Sequence, residues 1–517
     1  MNPAQWLSSL ETFTGAFYKR FTDVELRGLL AYFTRRLHEG HTLELGVLSS
    51  LVKMAGGYGF VDSESTVSLS TVQLEGRCGS LALRRETSDF GIVEKVNLRS
   101  SRRLRASLQE DACGVVFLIL LAQLRGKVLF NESRDSPKQI KLIGNLYDKC
   151  HRTLNILLHF LSDGSQDLKD MPQDNGAIVV YAKAMPKLGD LVKNFNIANA
   201  DAWNLCRPLI RASIFVEEDQ SGKNGPAMSE HLMPFHPTSP SMEISYQTML
   251  PVESWNHITQ LLFSRFYSYA IYDLTCPEET YLIEIGRVKR EIDRLEILQK
   301  GGRDAIGMQA SMASAVAAAG GTEQAIREAT AFTKEHAIDL ERLKGTEAIL
   351  RSDMQRQKTH YGHVMKRLEA EKFDFLVNLT AEIPDTSSVF FTTCIYPRSL
   401  LSPEDAIYCA RFIMLLHKME TPGFSTLQLI DVIVSAVVGA LYSITENEAG
   451  CFGIFLNEVW NVVTGWRYDQ NLYETEVSGK VRPVAMTLHA VTLMIILPIL
   501  THHITFNIAW WYLEPCE

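Results

Sequence analysis

The side chains best suited to chemistry in this sequence are scattered rather than gathered into a recognisable set. Nine cysteines, at Cys78, Cys113, Cys150, Cys206, Cys276, Cys394, Cys409, Cys451 and Cys516, never form a C-x-x-C pair. That pattern suits free thiols in a reducing compartment rather than a disulfide framework or a zinc site. His38 with His41, and His360 with His363, are close enough to share a helix face. Neither pair has an evident third ligand or an H-E-x-x-H context, so surface or packing histidines are the plainer reading. Glu446 and Glu448 form a carboxylate pair, but acid–base work needs burial and geometry that spacing alone does not supply. Gly56, Gly57, Tyr58 and Gly59 lack the spacing and strand–helix flanks of a dinucleotide site, and no G-x-x-x-x-G-K-[ST] phosphate loop is present. The expectation is no catalytic residue, no cofactor-binding residue, no metal ligand and no cofactor. The basic run at 95–105, KVNLRSSRRLR, is the best local candidate for an acidic ligand. If Ser100 or Ser101 caps a helix there, Arg102, Arg103 and Arg105 face solvent, and a solvated helix face is the preferred reading.

The elements that would position these residues are helical. The 517 residues are 46% hydrophobic and 21% charged, which permits large cores and two or more folded units. A net charge of -9 gives no global attraction to a phosphate backbone, so any RNA contact must be local or borrowed from a partner. The opening MNPAQWLSSLETF has neither a basic leader nor a continuous apolar core, so no secretory signal is expected there. No block of lysine and arginine marks a nuclear localisation signal.

Leu26, Leu29, Leu30, Phe33 and Leu37 recur at the three-and-four spacing of one helix face and predict a helix over 23–38. The run 113–124 is apolar all round and reads as a buried helix stopping at Arg125–Gly126, too short to span a bilayer. Residues 142–161 repeat the amphipathic pattern. Proline and glycine break the pattern at 217–242, and glycine pairs flank an alanine-rich stretch at 301–321. From about 323 to 379 a long charged helix places Leu340, Met354, Tyr361, Leu368 and Phe375 at one heptad position, with Leu343, Leu350 and Val364 at the other. Glu347, Gln357 and Glu371 break that seam. A hairpin with a helix over 280–299, packing on a partner, and a two-stranded coiled coil all fit. Strand signals are confined to short β-branched runs such as 177–181 and 388–393. The fold class expected is all-α, with stacked helices in an elongated α-solenoid-like scaffold and a long charged helix or helical hairpin in the middle.

The expected division is an N-terminal helical block (1–216), a flexible linker (217–242), a helical segment (243–300), an Ala/Gly linker (301–321), a long charged helix (322–379), a C-terminal helical block (380–480) and an atypical apolar tail (481–517). Within the C-terminal block, Ser402 is placed to cap a helix with Pro403 at its first position and Glu404 and Asp405 at its positive end. Ser425 or Thr426 can cap the next, and Thr445 with Glu448 reads as a capping box.

An ordered set of motifs resembles the THO complex subunit 2 family. LELGVLSSLVKMAG at 43–56, QLEG at 73–76, SSRRLRASL at 100–108 and LYDKCHRTL at 146–154 come first. FYSYAIYDLTCPEETY at 266–281, CIYPRSLLSPEDAIYCARFIMLLH at 394–417, TPGFSTL at 421–427 and TENEA at 445–449 follow in the family's order. Each motif alone is weak, but the set runs from about 26 to 475. It resembles the family's central region, including the Tho2 domain and the start of the C-terminal Tho2 domain, without the long N-terminal block or the basic tail. The resemblance implies a non-enzymatic scaffold of the THO/TREX assembly in the nucleus, coupling transcription to mRNA processing and export. Implied partners are the other THO subunits and the DEAD-box mRNA-export helicase, with the mRNP reached indirectly or through weak RNA contact. The rival reading is a generic helical adaptor or tethering scaffold.

The tail departs from this. No charged residue occurs from 484 to 513, yet Pro498, His489, His502, His503 and Asn507 suit hydrocarbon poorly, so no membrane is expected. A mistaken gene-model ending beginning near 478–481 is the preferred reading, ahead of a buried helix and a membrane anchor.

Overall fold

The computed structural model describes residues 22–42, 44–54, 83, 103–130, 139–163, 176–221, 229–313, 322–376 and 383–478. The principal helices are α1 (Asp23–His38), α2 (Leu45–Met54), α3 (Cys113–Leu129), α4 (Ile140–Asp163), α5 (Gly176–Ala184), α6 (Leu188–Lys193), α7 (Asn199–Ser221), α8 (Pro240–Met249), α9 (Gln260–Ser268), α10 (Glu278–Ala313), α11 (Thr322–Glu371), α12 (Ile383–Phe390), α13 (Pro403–Lys418), α14 (Thr426–Leu441) and α15 (Glu446–Tyr468). Among the described residues no strand forms beyond an isolated antiparallel bridge between Ile258 and Leu376. The all-α expectation holds.

Local chemistry explains where the helices start. Thr22 and Glu25 form a reciprocal capping box at α1, which buries Leu26, Leu30, Phe33 and Leu37 on one face as its periodicity requires. Ser402 caps α13 with Pro403 behind it, and Thr445 and Glu448 form the expected box at α15. At α14, Ser425 occupies the cap position but makes no capping hydrogen bond.

Several boundaries differ from expectation. Helix α3 continues through Gly126 to Leu129, because Val128 is buried and its packing outweighs the roughly 1 kcal/mol cost of a helical glycine. The runs at 177–181 and 388–393 are helical, the latter passing into a π turn over Phe391–Ile395, since burial overrides weak β propensity. The expected flexible linker at 217–242 is ordered on both sides of 222–228, which lie outside the described residues. Helix α7 runs to Ser221, and buried Leu232, Phe235 and Met242 anchor the stretch that leads into α8. The expected Ala/Gly linker at 301–321 is helical as far as Ala313 despite Gly301 and Gly302, and 314–321 fall outside the described residues.

The chain divides into two units, one of Met1–Leu69, Val96–Ile271 and Lys366–Glu517, the other of Ser70–Lys95 and Tyr272–Met365. In the first unit α3 and α4 pack antiparallel, with Gly114 against Leu161 at one end and Arg125 over Tyr147 at the other. A Cβ at Gly114 would lie 3.0 Å from Leu161 Cδ1, so a larger residue there would need the Leu161 side chain to give by a few tenths of an ångström. Trp203, fully buried, stacks on Tyr246 and Tyr267 with Phe263 edge-on.

In the second unit α10 and α11 form an antiparallel hairpin. Glu278 pairs with Lys358, Tyr281 with Gln357 and Glu296 with Lys344, so one numbering rises as the other falls. The seam buries Tyr281, Ile285, Val288 and Ile292 of α10 with Leu350 of α11 and Leu83, and Leu340, Leu343 and Met354 pack beside them. The intrachain hairpin thus engages Leu340, Leu343, Leu350 and Met354 of the heptad pattern. Gln357, expected to break the seam, is wholly buried and hydrogen-bonded.

Candidate functional site: buried polar corners of the first unit

The first unit concentrates its buried charge where helices end. Helix α9 terminates with carbonyls that no intrahelical amide can satisfy, and its dipole favours a cation there. Arg398 supplies it. Its guanidinium donates to the carbonyls of Phe266 and, at 2.7 Å, Tyr269, and lies 3.6 Å over the Tyr408 ring. Its Nε donates at 2.8 Å to Asp405 Oδ1, whose other oxygen accepts from Arg207 at 3.0 Å. Asp405 sits in the first turn of α13, where the helix dipole also favours an anion. One arginine therefore joins the end of α9 to the start of α13. Burial alone would raise the Asp405 carboxyl, but Arg207 and Arg398 outweigh it and hold it at about 2.

A second corner lies at the starts of α7 and α15. Arg125, inside the apolar run of α3, donates to Asp201 at 2.6 Å and to Glu448 at 3.0 Å, with its guanidinium 4.3 Å over Tyr147. Asp148 accepts from Thr445 Oγ1 at 2.6 Å and from the Asn447 amide at 3.3 Å, so α4 holds the first turn of α15. His151 lies 2.6 Å from the Leu401 carbonyl, which can only accept, so His151 Nε2 carries the proton. Burial, aided by the positive field of Arg125, pushes its pKa down to about 4 and keeps the ring neutral near pH 7.

These contacts assign the candidate residues. Glu448 belongs to the capping box and the Arg125 pair, while Glu446 lies in the first turn of α15. Arg103 and Arg105 are not an open basic face: Arg103 pairs with Asp23 at 2.6 Å, and Arg105 donates to the Phe160 carbonyl at 3.2 Å while covering its ring. Ser100, Ser101, Arg102 and the glycines at 56–59 lie outside the described residues. His360 is buried 2.8 Å from Asp273, His41 lies 3.9 Å from Glu39, and His38 and His363 are exposed. No group of three metal-ligating side chains occurs among the described residues. Sequence reasoning missed Arg125, Arg207, Arg398 and His151. The available signal was Arg125, since a cation within a continuous apolar helix must find buried partners.

The motifs quoted from the sequence supply these corners. LYDKCHRTL provides Tyr147, Asp148 and His151; FYSYAIYDL provides the Phe266 and Tyr269 carbonyls; the 394–417 motif provides Arg398, Ser402, Asp405 and Tyr408; TENEA provides Thr445 and Glu448. The Tho2 family, described as transcription factor/nuclear export subunit protein 2, matches residues 255–492. THO complex subunit 2 of Homo sapiens is 28% identical over 487 residues, covering 92% of this chain and 27% of that protein. The protein of the same name from Arabidopsis thaliana is 28% identical over 503 residues, with 92% and 25% covered. The chain is thus similar to the THO complex subunit 2 family over most of its length. It spans about a quarter of the length of the curated relatives it matches, 27% for the human protein. The Tho2 match runs to residue 492, beyond the point near 478–481 where the composition changes. Among the described residues no single helix is long and apolar enough to cross a membrane.

Proposed function

We propose that this chain is a subunit of a nuclear THO/TREX assembly, acting as a non-catalytic scaffold in coupling transcription to mRNA processing and export. The observation that carries this reading is that the family-like motifs converge on buried corners that fix helices against one another. On this reading such corners keep helical faces of the first unit in register for binding. They leave no titratable pair open to a substrate: Asp405, Glu448 and Asp148 are each committed to hydrogen bonds within the fold. On this reading the other THO subunits bind its helical faces, the DEAD-box helicase supplies ATP hydrolysis, and the mRNP is reached through these partners or by weak contact.

Mass spectrometry of proteins copurifying with the tagged full chain from nuclei tests the proposal. Recovery of THO subunits and an mRNA-export helicase is expected. Recovery of vesicle-coat or tethering proteins instead would favour the rival adaptor, and ATP hydrolysis that persists in the chain after helicase removal would contradict the non-catalytic role.

A further inference from the structure

Helix α14 carries a single ionisable side chain, Asp431, yet only half of the helix is covered. Its buried residues, Thr426, Leu429, Ile430 and Ile433, all lie in its first half. None of the residues from Val434 to Leu441 is buried, although all but Ser435 and Gly439 are valine, alanine or leucine. Val437 and Ala440 continue the buried line at helical spacing and are only half-buried. Val438 is 62% exposed, and Tyr442, just past the end of the helix, is 90% exposed. Single exposed apolar residues are ordinary, but two successive turns of them on one helix form a contiguous surface that calls for a cover.

The chain itself holds a matching segment. No charged residue occurs from 484 to 513, and 491–500 reads VTLMIILPIL. These residues lie outside the described ones, and the Tho2 match, which runs to 492, takes in the first of them. A line of contacts fixes where the described chain stops. Trp466 Nε1 donates to Glu476 at 2.7 Å, the Trp466 ring lies 5.2 Å from the His417 ring, and His417 Nδ1 lies 2.9 Å from Thr426 Oγ1. Glu476 is therefore two side chains away from the start of α14. Val434 is about 12 Å along the helix from Thr426, and the chain from Ser478 to Val491 reaches up to about 43 Å when extended. The apolar run can thus arrive at the uncovered half of α14, where neither surface would bury a charge. We infer that the segment 484–500 packs on the second half of α14 and covers it with the chain's own apolar residues. Such a contact lies within one chain and does not depend on the assembly role.

Hydrogen exchange of the purified full chain, resolved by peptide, tests this with two variants. Ile495→Asp/Ile496→Asp places charge in the segment, and Val434→Asp/Val438→Asp places it on α14 at positions that are not buried. The first is expected to lower protection over 434–441 and the second over 491–500, each roughly tenfold, while 403–418 in α13 keeps its own. A photoreactive phenylalanine derivative in place of Val438 gives a second readout without adding charge, and is expected to crosslink to 484–500 of the same chain at monomer mass. Protection in each segment that is indifferent to the change in the other would overturn the inference. So would a crosslink that joins two copies or lands outside 484–500, or protection of 491–500 that arises only with detergent or lipid vesicles. Copurification from nuclei reads none of these contacts, so the two proposals fail separately.

Discussion

The two units differ in the polar groups they bury. The first seals ionised side chains into its helix corners, as Arg398 with Asp405 and Arg207, and as Arg125 with Asp201 and Glu448. The hairpin seam of the second buries mainly a neutral set, in which Tyr281 donates to Gln357 and Gln357 donates to the carbonyls of Tyr272 and Thr275; beside it one titratable pair, His360 with Asp273 at 2.8 Å, is buried, and pairs such as Lys358–Glu278 are left half exposed. Removing one member of a buried ion pair strands the other, whereas an exposed pair is screened by water and salt. The corners of the first unit should therefore respond steeply to loss of a charge, and the hairpin seam to its shape and hydrogen bonding.

The largest effect is expected at Arg398. Arg398→Ala strands buried Asp405 and frees the carbonyls at the end of α9, and should cost about 3–5 kcal/mol of first-unit stability. A shift of the denaturant midpoint, read from intrinsic tryptophan fluorescence, measures it, and a loss below about 1 kcal/mol would break the contrast. Acid comes next. His151, held down at about 4, is neutral when folded but protonates near pH 6.5 when unfolded, so its contribution is full above about 6.5 and is lost as pH falls toward 4. Asp405, held down at about 2, contributes fully above its unfolded value near 3.8 and loses that contribution as pH falls toward 2. Stability measured against pH should decline in these two stages, and His151→Gln should flatten only the stage between about 6.5 and 4.

Smaller effects belong to the hairpin. Gln357→Leu leaves the Tyr272 and Thr275 carbonyls without this donor and should cost about 1–3 kcal/mol, with little change in its slope against pH between 4 and 7. Lys358→Ala removes an exposed pair and should have the smallest effect of these changes, one that vanishes at high salt. A larger, salt-independent loss at Lys358 would place the hairpin's stability in its charges after all.

The legible features of the sequence were those written over one or two helical turns. Ser402 with Pro403 and Thr445 with Glu448 announce helix starts because capping chemistry needs only neighbours three residues away. The face of α1 and the heptads of α11 are legible for the same reason. The buried corners were not, because Arg398 meets carbonyls more than a hundred residues away, at Phe266 and Tyr269, and Arg125 meets Glu448 from the far end of the chain. Gln357 illustrates the same limit. Polarity at a heptad position reads as a break, and only the arrival of Tyr281 and two backbone carbonyls turns it into a buried partner. Proline and glycine at 217–242 misled in the other direction, since Leu232 and Phe235 supply enough burial to order the part that leads into α8.

Hydrogen exchange of the Arg398→Ala chain, resolved by peptide, tests most directly that buried ion pairs hold the corners of the first unit. The account predicts lost protection over 260–269 and 395–409, with 281–292 and 350–357 of the hairpin retaining theirs. Uniform loss across both units, or unchanged protection at 260–269, would contradict it.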